Sequence, residues 1–279
     1  MDYMKKLIWL LIVSLLLIIP ASATELRKGD FMLEVTEGNI AGVEHINKFG
    51  HADGMGDGTL WNGHDTTANY EGIFQAFASP VLMSIAHSGV DSSGGTGATS
   101  ITVEGLDANG DKQSATQALG GAGTTAIATL TWTRVFRAYV AVAGTGNVNA
   151  NDIDIQETSA GTVWARIEPA VGQTEMAVYT VPAGKTLHVT NYYFASEDST
   201  GAQNAEIDLK QRSVDPASGS PVERVKMTIG MRLNTEIHFQ HYFSPYKVFT
   251  EKTDVYIQVD INAGSMEGHG GFDGYLVDN

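Results

Sequence analysis

Four groups of residues in this chain have the types and spacing that chemistry requires. His51, Asp53, Asp57, His64 and Asp65 cluster around the Gly-rich stretch HADGMGDG and offer the imidazole nitrogens and carboxylate oxygens that divalent cations accept. An ordinary surface loop is the expectation there. Asp107-x-Asn109-Gly110-Asp111 presents oxygens at alternate positions, as calcium loops do, but lacks the downstream bidentate Glu and the flanking helices. A hairpin turn fits it better. His238 and His241 are three apart, so on a strand they point to opposite faces and cannot share an ion without a bulge. Glu206 and Asp208 share a strand face, where a glycosidase pair could stand. Alternation with Ile207 and Leu209 reads instead as the solvated side of a half-buried strand.

Nucleophilic catalysis has little to recruit. The chain has no Cys, no Gly-x-Ser-x-Gly elbow and no phosphate loop with its Lys-Ser/Thr ending. Trp61, Tyr70, Trp132, Tyr192, Tyr193, Tyr242 and Tyr246 could stack on sugars, although core packing is the commoner fate of strand aromatics. No residue is therefore assigned a catalytic, cofactor-binding or metal-ligating role, and the expectation is a protein that is not an enzyme and needs no cofactor.

The elements that position these side chains are strands. Ile101–Leu119 writes a β-hairpin: apolar alternation, the turn Asp107–Asp111 with its Asn-Gly pair, and alternation again. Phe31–Phe49 reads as one or two short strands joined at Glu37-Gly38-Asn39, and Ala126–Ala143 as one long run. Segments at Met176–Val181, Leu187–Ala195, Glu206–Arg212, Val222–Ile229, Glu236–Phe243, Asp254–Ile261 and Gly271–Val277 follow at the regular spacing of a jelly roll. Pro169 and Gly172 interrupt the pattern, so Glu168–Gly172 is the expected boundary. The predicted fold is all-β: two consecutive β-sandwich domains, 24–168 and 169–279, the second jelly-roll-like.

Composition agrees with that class. Thirty-two acidic against 17 basic residues give a net charge of −15, which repels nucleic-acid backbones. No disulfide can form, so stability outside a cell would rest on packing or oligomerisation. Lys5 and Lys6, the apolar run Leu7–Ile19 and the small residues at Ala21 and Ala23 have the form of a signal peptide over residues 1–23. An uncleaved anchor, the one route to a membrane, and a start at Met32 are the alternatives.

Four phrases in order, GNIAGVEHINKFG, VFRAYVAVAGTGNVNANDIDI, MAVYTVPAGKTLHVTNYY and GFDGYLVDN, resemble a family of tailed-bacteriophage virion structural or hypothetical proteins over about Leu33–Asn279. The resemblance implies two β-domains, no catalytic residues, a location in the virion, and partners among copies of itself and other capsid or tail proteins. The family carries no signal peptide, in contrast to Leu7–Ile19. The expected function is a capsid decoration or accessory protein acting through oligomeric β-packing. A secreted or periplasmic carbohydrate- or surface-binding sandwich is the alternative, favoured by the N-terminal segment.

Overall fold

The computed structural model describes residues 30–67, 79–197, 203–214, 221–233 and 236–279. Leu7–Ile19, the expected signal segment, and Tyr70 lie outside them. Phe31–Thr36, expected as strand, is a short helix, α1. Asp30 caps it, its carboxylate accepting from the Met32 and Leu33 amides, which supplies partners that a six-residue helix otherwise lacks.

The remaining elements are strands. β1 (Val43–Met55) and β2 (Gly58–Thr59) come first, then β3 (Val81–His87), β4 (Ala98–Leu106), β5 (Lys112–Ala118), β6 (Gly123–Trp132), β7 (Arg134–Ala143), β8 (Ile153–Glu157) and β9 (Val163–Ile167). β10 (Val178–Thr180), β11 (Lys185–Glu197), β12 (Gln203–Val214), β13 (Pro221–Leu233), β14 (Ile237–Phe249), β15 (Asp254–Ile261) and β16 (Met266–Asp278) complete the chain. The all-β reading holds. The Ile101–Leu119 hairpin forms as β4 and β5 in register from Ser100↔Ala118 to Leu106↔Lys112. Ala126–Ala143, read as one run, is split at Thr133: β6 joins one sheet and β7 another. The buried Thr133 hydroxyl donates to the Leu106 and Asp107 carbonyls and fixes that corner.

Four sheets make two sandwiches. Sheets β6-β3-β8-β9 and β5-β4-β7 enclose one core, which includes Trp132, Trp164, Ile101 and Ile155. Sheets β1-β16-β11-β14 and β10-β15-β12-β13 enclose the other, around Phe194, Phe249, Phe272, Ile207 and Leu209. Each fully buried Leu, Ile or Phe contributes roughly 1.5–3 kcal/mol.

β2 and β10 occupy a single strand position. Thr59 pairs with Gln258 on β15, and Val178 pairs with Tyr256 two residues along the same strand. Between them the Leu60 amide donates to Ile257, and the Ile257 amide to Ala177. Counting β2 and β10 as the second of eight positions, the sheets run 1-8-3-6 and 2-7-4-5, the order of a jelly roll.

The chain leaves this strand at Trp61 and returns at Met176, which bridge each other. Val81–Ile167 is thus a sandwich inserted into a jelly-roll strand. The expected division into 24–168 and 169–279 is corrected accordingly: β1 and β2 precede the inserted sandwich in sequence but pair with β16 and β15. Glu168–Gly172 marks the exit of the insertion, with Ala170 and Gly172 both at positive φ. Local punctuation revealed that exit, whereas strand pairing across some 200 residues lies beyond any local pattern.

Candidate functional site: a histidine and carboxylate cluster at the sandwich junction

β1 and β16 are neighbours in the jelly roll. Strand alternation sends Ile46, Lys48 and Ala52 inward and leaves His51 and Asp53 on the opposite face. On β16, Met266, Gly268 and Phe272 face the core, and Glu267 and His269 lie opposite. The strands approach so closely that a Cβ on Gly271 would fall 2.1 Å from the Lys48 carbonyl oxygen. Glycine at 271 permits this register.

The ring of His51 stacks on that of His269, with centroids 4.5 Å apart and planes within 7°. The Glu267 Oε1 oxygen is 3.2 Å from the Nε2 nitrogen of each ring. Asp53 Oδ1 lies 3.0 Å from the same His51 nitrogen. On the other side of the ring, Nδ1 faces Glu175 at 3.5 Å and Glu168 at 3.8 Å, both on the connector returning from the inserted sandwich. The His51 amide donates to the Glu175 carbonyl and ties the connector to β1. Hydrogen bonding to Glu168, then to Glu175, raises the His51 pKa to about 11 against the opposing cost of burial. Two sets of side chains here have the proximity of metal ligands: His51, Glu267 and His269, and His51, Glu168 and Glu175.

A second charge cluster joins the sandwiches more deeply. Arg134 on β7 donates from Nε and Nη2 to the two oxygens of Asp254 on β15, at 2.8 and 3.1 Å. Its Nη1 donates to the Thr133 carbonyl, and the Thr180 hydroxyl donates to Asp254 at 2.6 Å. Nearby, the buried Lys48 ammonium donates to the Phe136 carbonyl of the inserted sandwich and lies 5.7 Å from the Phe136 ring centroid. Burial lowers the Lys48 pKa to about 7; the Arg137 charge adds to that fall and Glu104 opposes it.

The residues grouped in the sequence part company. Asp57 accepts from the Ile261 amide, Asp65 from Arg166 on β9, and His64 contacts the Asp57 carbonyl. Only His51 and Asp53 enter the cluster. Its other members, Glu168, Glu175, Glu267 and His269, were missed. The available signal was two alternating pairs, His51-x-Asp53 and Glu267-x-His269, each presenting two ligand-type side chains on one strand face.

The other motifs are also placed. Asp107 accepts from the Asn109 and Asp111 amides at 2.8 and 2.9 Å, so it serves the turn. His241 packs against Tyr192 and Phe243, and His238 is exposed on the opposite side. Glu206 is solvated as expected, but Asp208 is buried: β13 covers it, and Thr228 donates to it at 2.6 Å. Trp61, Trp132 and Tyr192 are core residues, Tyr193 is part-buried, and Tyr242 and Tyr246 are exposed.

No family model and no curated protein matches this chain. Among solved structures, the infectious bursal disease virus VP2 subviral particle aligns over 85% of this chain and 81% of its own at 10% identity. The TM-score of that alignment is 0.10, too low to carry an argument.

Proposed function

We propose that this protein is a non-enzymatic structural component of a phage-like virion, a capsid decoration or accessory protein that acts by packing against copies of itself and against other virion proteins. The observation that carries the reading is the open side of the jelly roll. β13 and β14, each of 13 residues, end their respective sheets, and no strand pairs beyond either among the described residues. Met227, Ile229 and Met231 on β13, with Ile237 and Phe239 on β14, touch the core but are only partly buried. Long apolar edges of this kind invite pairing with another chain. The resemblance over Leu33–Asn279 supports the same reading.

Light scattering on the full chain is the test. An assembly that dissociates when Val225 on β13 is replaced by Lys is expected. A strict monomer at roughly tens of micromolar, a range where weak assemblies still form, would defeat the proposal.

One observation favours the alternative, a secreted carbohydrate- or surface-binding protein. Between Asn191↔Tyr242 and Val189↔Lys247 the register of β14 bulges. Tyr242 and Tyr246, 69% and 52% exposed, stand beside a cavity of about 340 Å³ at this bulge. Amphipathic rings of this kind suit sugar faces as well as protein partners. Polysaccharide retention that falls on Tyr246→Ala, in a protein that stays monomeric, would select this second reading.

A further inference from the structure

We infer that the outer face of the sheet β1-β16-β11-β14 binds an uncharged glycan, with Tyr193 on β11 as its stacking platform. The inference does not rest on virion assembly; it gives the carbohydrate reading a site of its own, separate from the cavity at Tyr246. Register brings the residues together. Tyr192 and Phe272 oppose each other in the core, so alternation sends Tyr193, Gly271 and Asp273 to the other face. On β14, Phe239 and Phe243 pack against the core, while Gln240, opposite Tyr193, and Tyr242, opposite Asn191, point outward.

Tyr193 is held flat on the sheet. Gly271 leaves the place of a side chain open, and the tyrosine occupies it: a Cβ at 271 would fall 2.6 Å from the Tyr193 hydroxyl oxygen and 2.9 Å from its Cζ. The ring therefore lies across β16 rather than standing off the sheet. Its hydroxyl accepts from Asn47 on β1, whose side-chain amide also donates to Asp273 at 2.5 Å. A ring pinned at its far end meets a ligand preorganised, so binding costs little side-chain freedom. With the sheet beneath it, Tyr193 is part-buried, and the next outward residue on β11, Ala195, is too small to overhang it.

This chemistry fits a sugar. The apolar C–H face of a pyranose stacks on such a ring, and the hydroxyls around its rim need donors and acceptors at the edge of the platform. Asn47, Gln240 and Asp273 supply both. Tyr242, 69% exposed, adds a second ring diagonal to Tyr193 across β11 and β14, at a spacing of about 7–8 Å between backbones. Acidic polymers are disfavoured, because Asp273 stands in the rim and the chain carries a net charge of −15.

The test is affinity electrophoresis of the full chain through gels that contain dextran, laminarin or galactomannan, all neutral, or the acidic polymer alginate. Retardation by at least one neutral polysaccharide, and not by alginate, is expected. Affinity should fall at least about tenfold in Tyr193→Ala, as for an anchoring aromatic. Gln240→Ala, at an exposed position on an edge strand, should weaken binding in the same direction, and Tyr246→Ala should leave it unchanged. Retardation by alginate, or by none of the neutral polymers, would overturn the inference, as would binding undiminished in both Tyr193→Ala and Gln240→Ala. Retention lost in Tyr246→Ala alone would overturn it too, while leaving the cavity on β14 as the sugar site. Light scattering on the same variants reads assembly separately, so failure here is distinct from failure of the virion reading.

Discussion

The two charge clusters that join the sandwiches differ in one respect, and the difference separates a structural contact from a candidate site. Arg134 and Asp254 are 6% and 3% exposed, and each oxygen of Asp254 has a donor in the fork or in Thr180. Nothing is left over for a ligand. Around His51, four carboxylates face one stacked pair of imidazoles, at side-chain exposures from 16% to 70%. Saturation under burial makes a joint; charge near solvent makes a cluster that water and salt can screen.

The comparison breaks first at Asp254. Replacing it with Ala strands a buried guanidinium, and a loss of roughly 3–5 kcal/mol is expected by denaturant unfolding. An Asp254→Ala protein of unchanged stability would show that the joint contributes nothing.

Lys48 adds a pH test of the same junction. Its folded pKa of about 7 lies below the ordinary 10.5, so between these values the unfolded chain binds more protons than the folded one. Stability should therefore rise as pH increases from about 7 toward 10.5, by up to a few kcal/mol at about 1.4 kcal/mol per pKa unit. Lys48→Met should flatten that slope. A profile identical in both proteins would contradict burial of the ammonium.

At the hairpin turn Asp107→Ala removes an acceptor for two backbone amides, with an expected cost of about 1 kcal/mol in thermal unfolding. The smallest effect should come from the half-open cluster itself. Glu267→Gln removes one surplus negative charge from a part-exposed group, and its stability should stay within about 0.5–1 kcal/mol of the unmodified chain. A drop as large as that of Asp254→Ala would erase the distinction between the two clusters.

Local signals in the chain determined its strands. Apolar alternation, Asn-Gly at 109–110 and the Pro/Gly breaks specified β-structure, the β4–β5 hairpin and the jelly-roll block after residue 176, because side-chain direction in a strand repeats every two residues. FMLEVT escaped that logic: its composition suits either state, and the Asp30 cap decided for helix. Buried Asp208 escaped it too, since its hydrogen-bond partner Thr228 stands on a neighbouring strand. The tertiary structure alone decided that the middle sandwich interrupts a jelly-roll strand, and that His51 meets His269 rather than His64. Pairing between β1 and β16 spans some 200 residues, and it is selected by the closure of a common core, to which no local stretch of sequence has access.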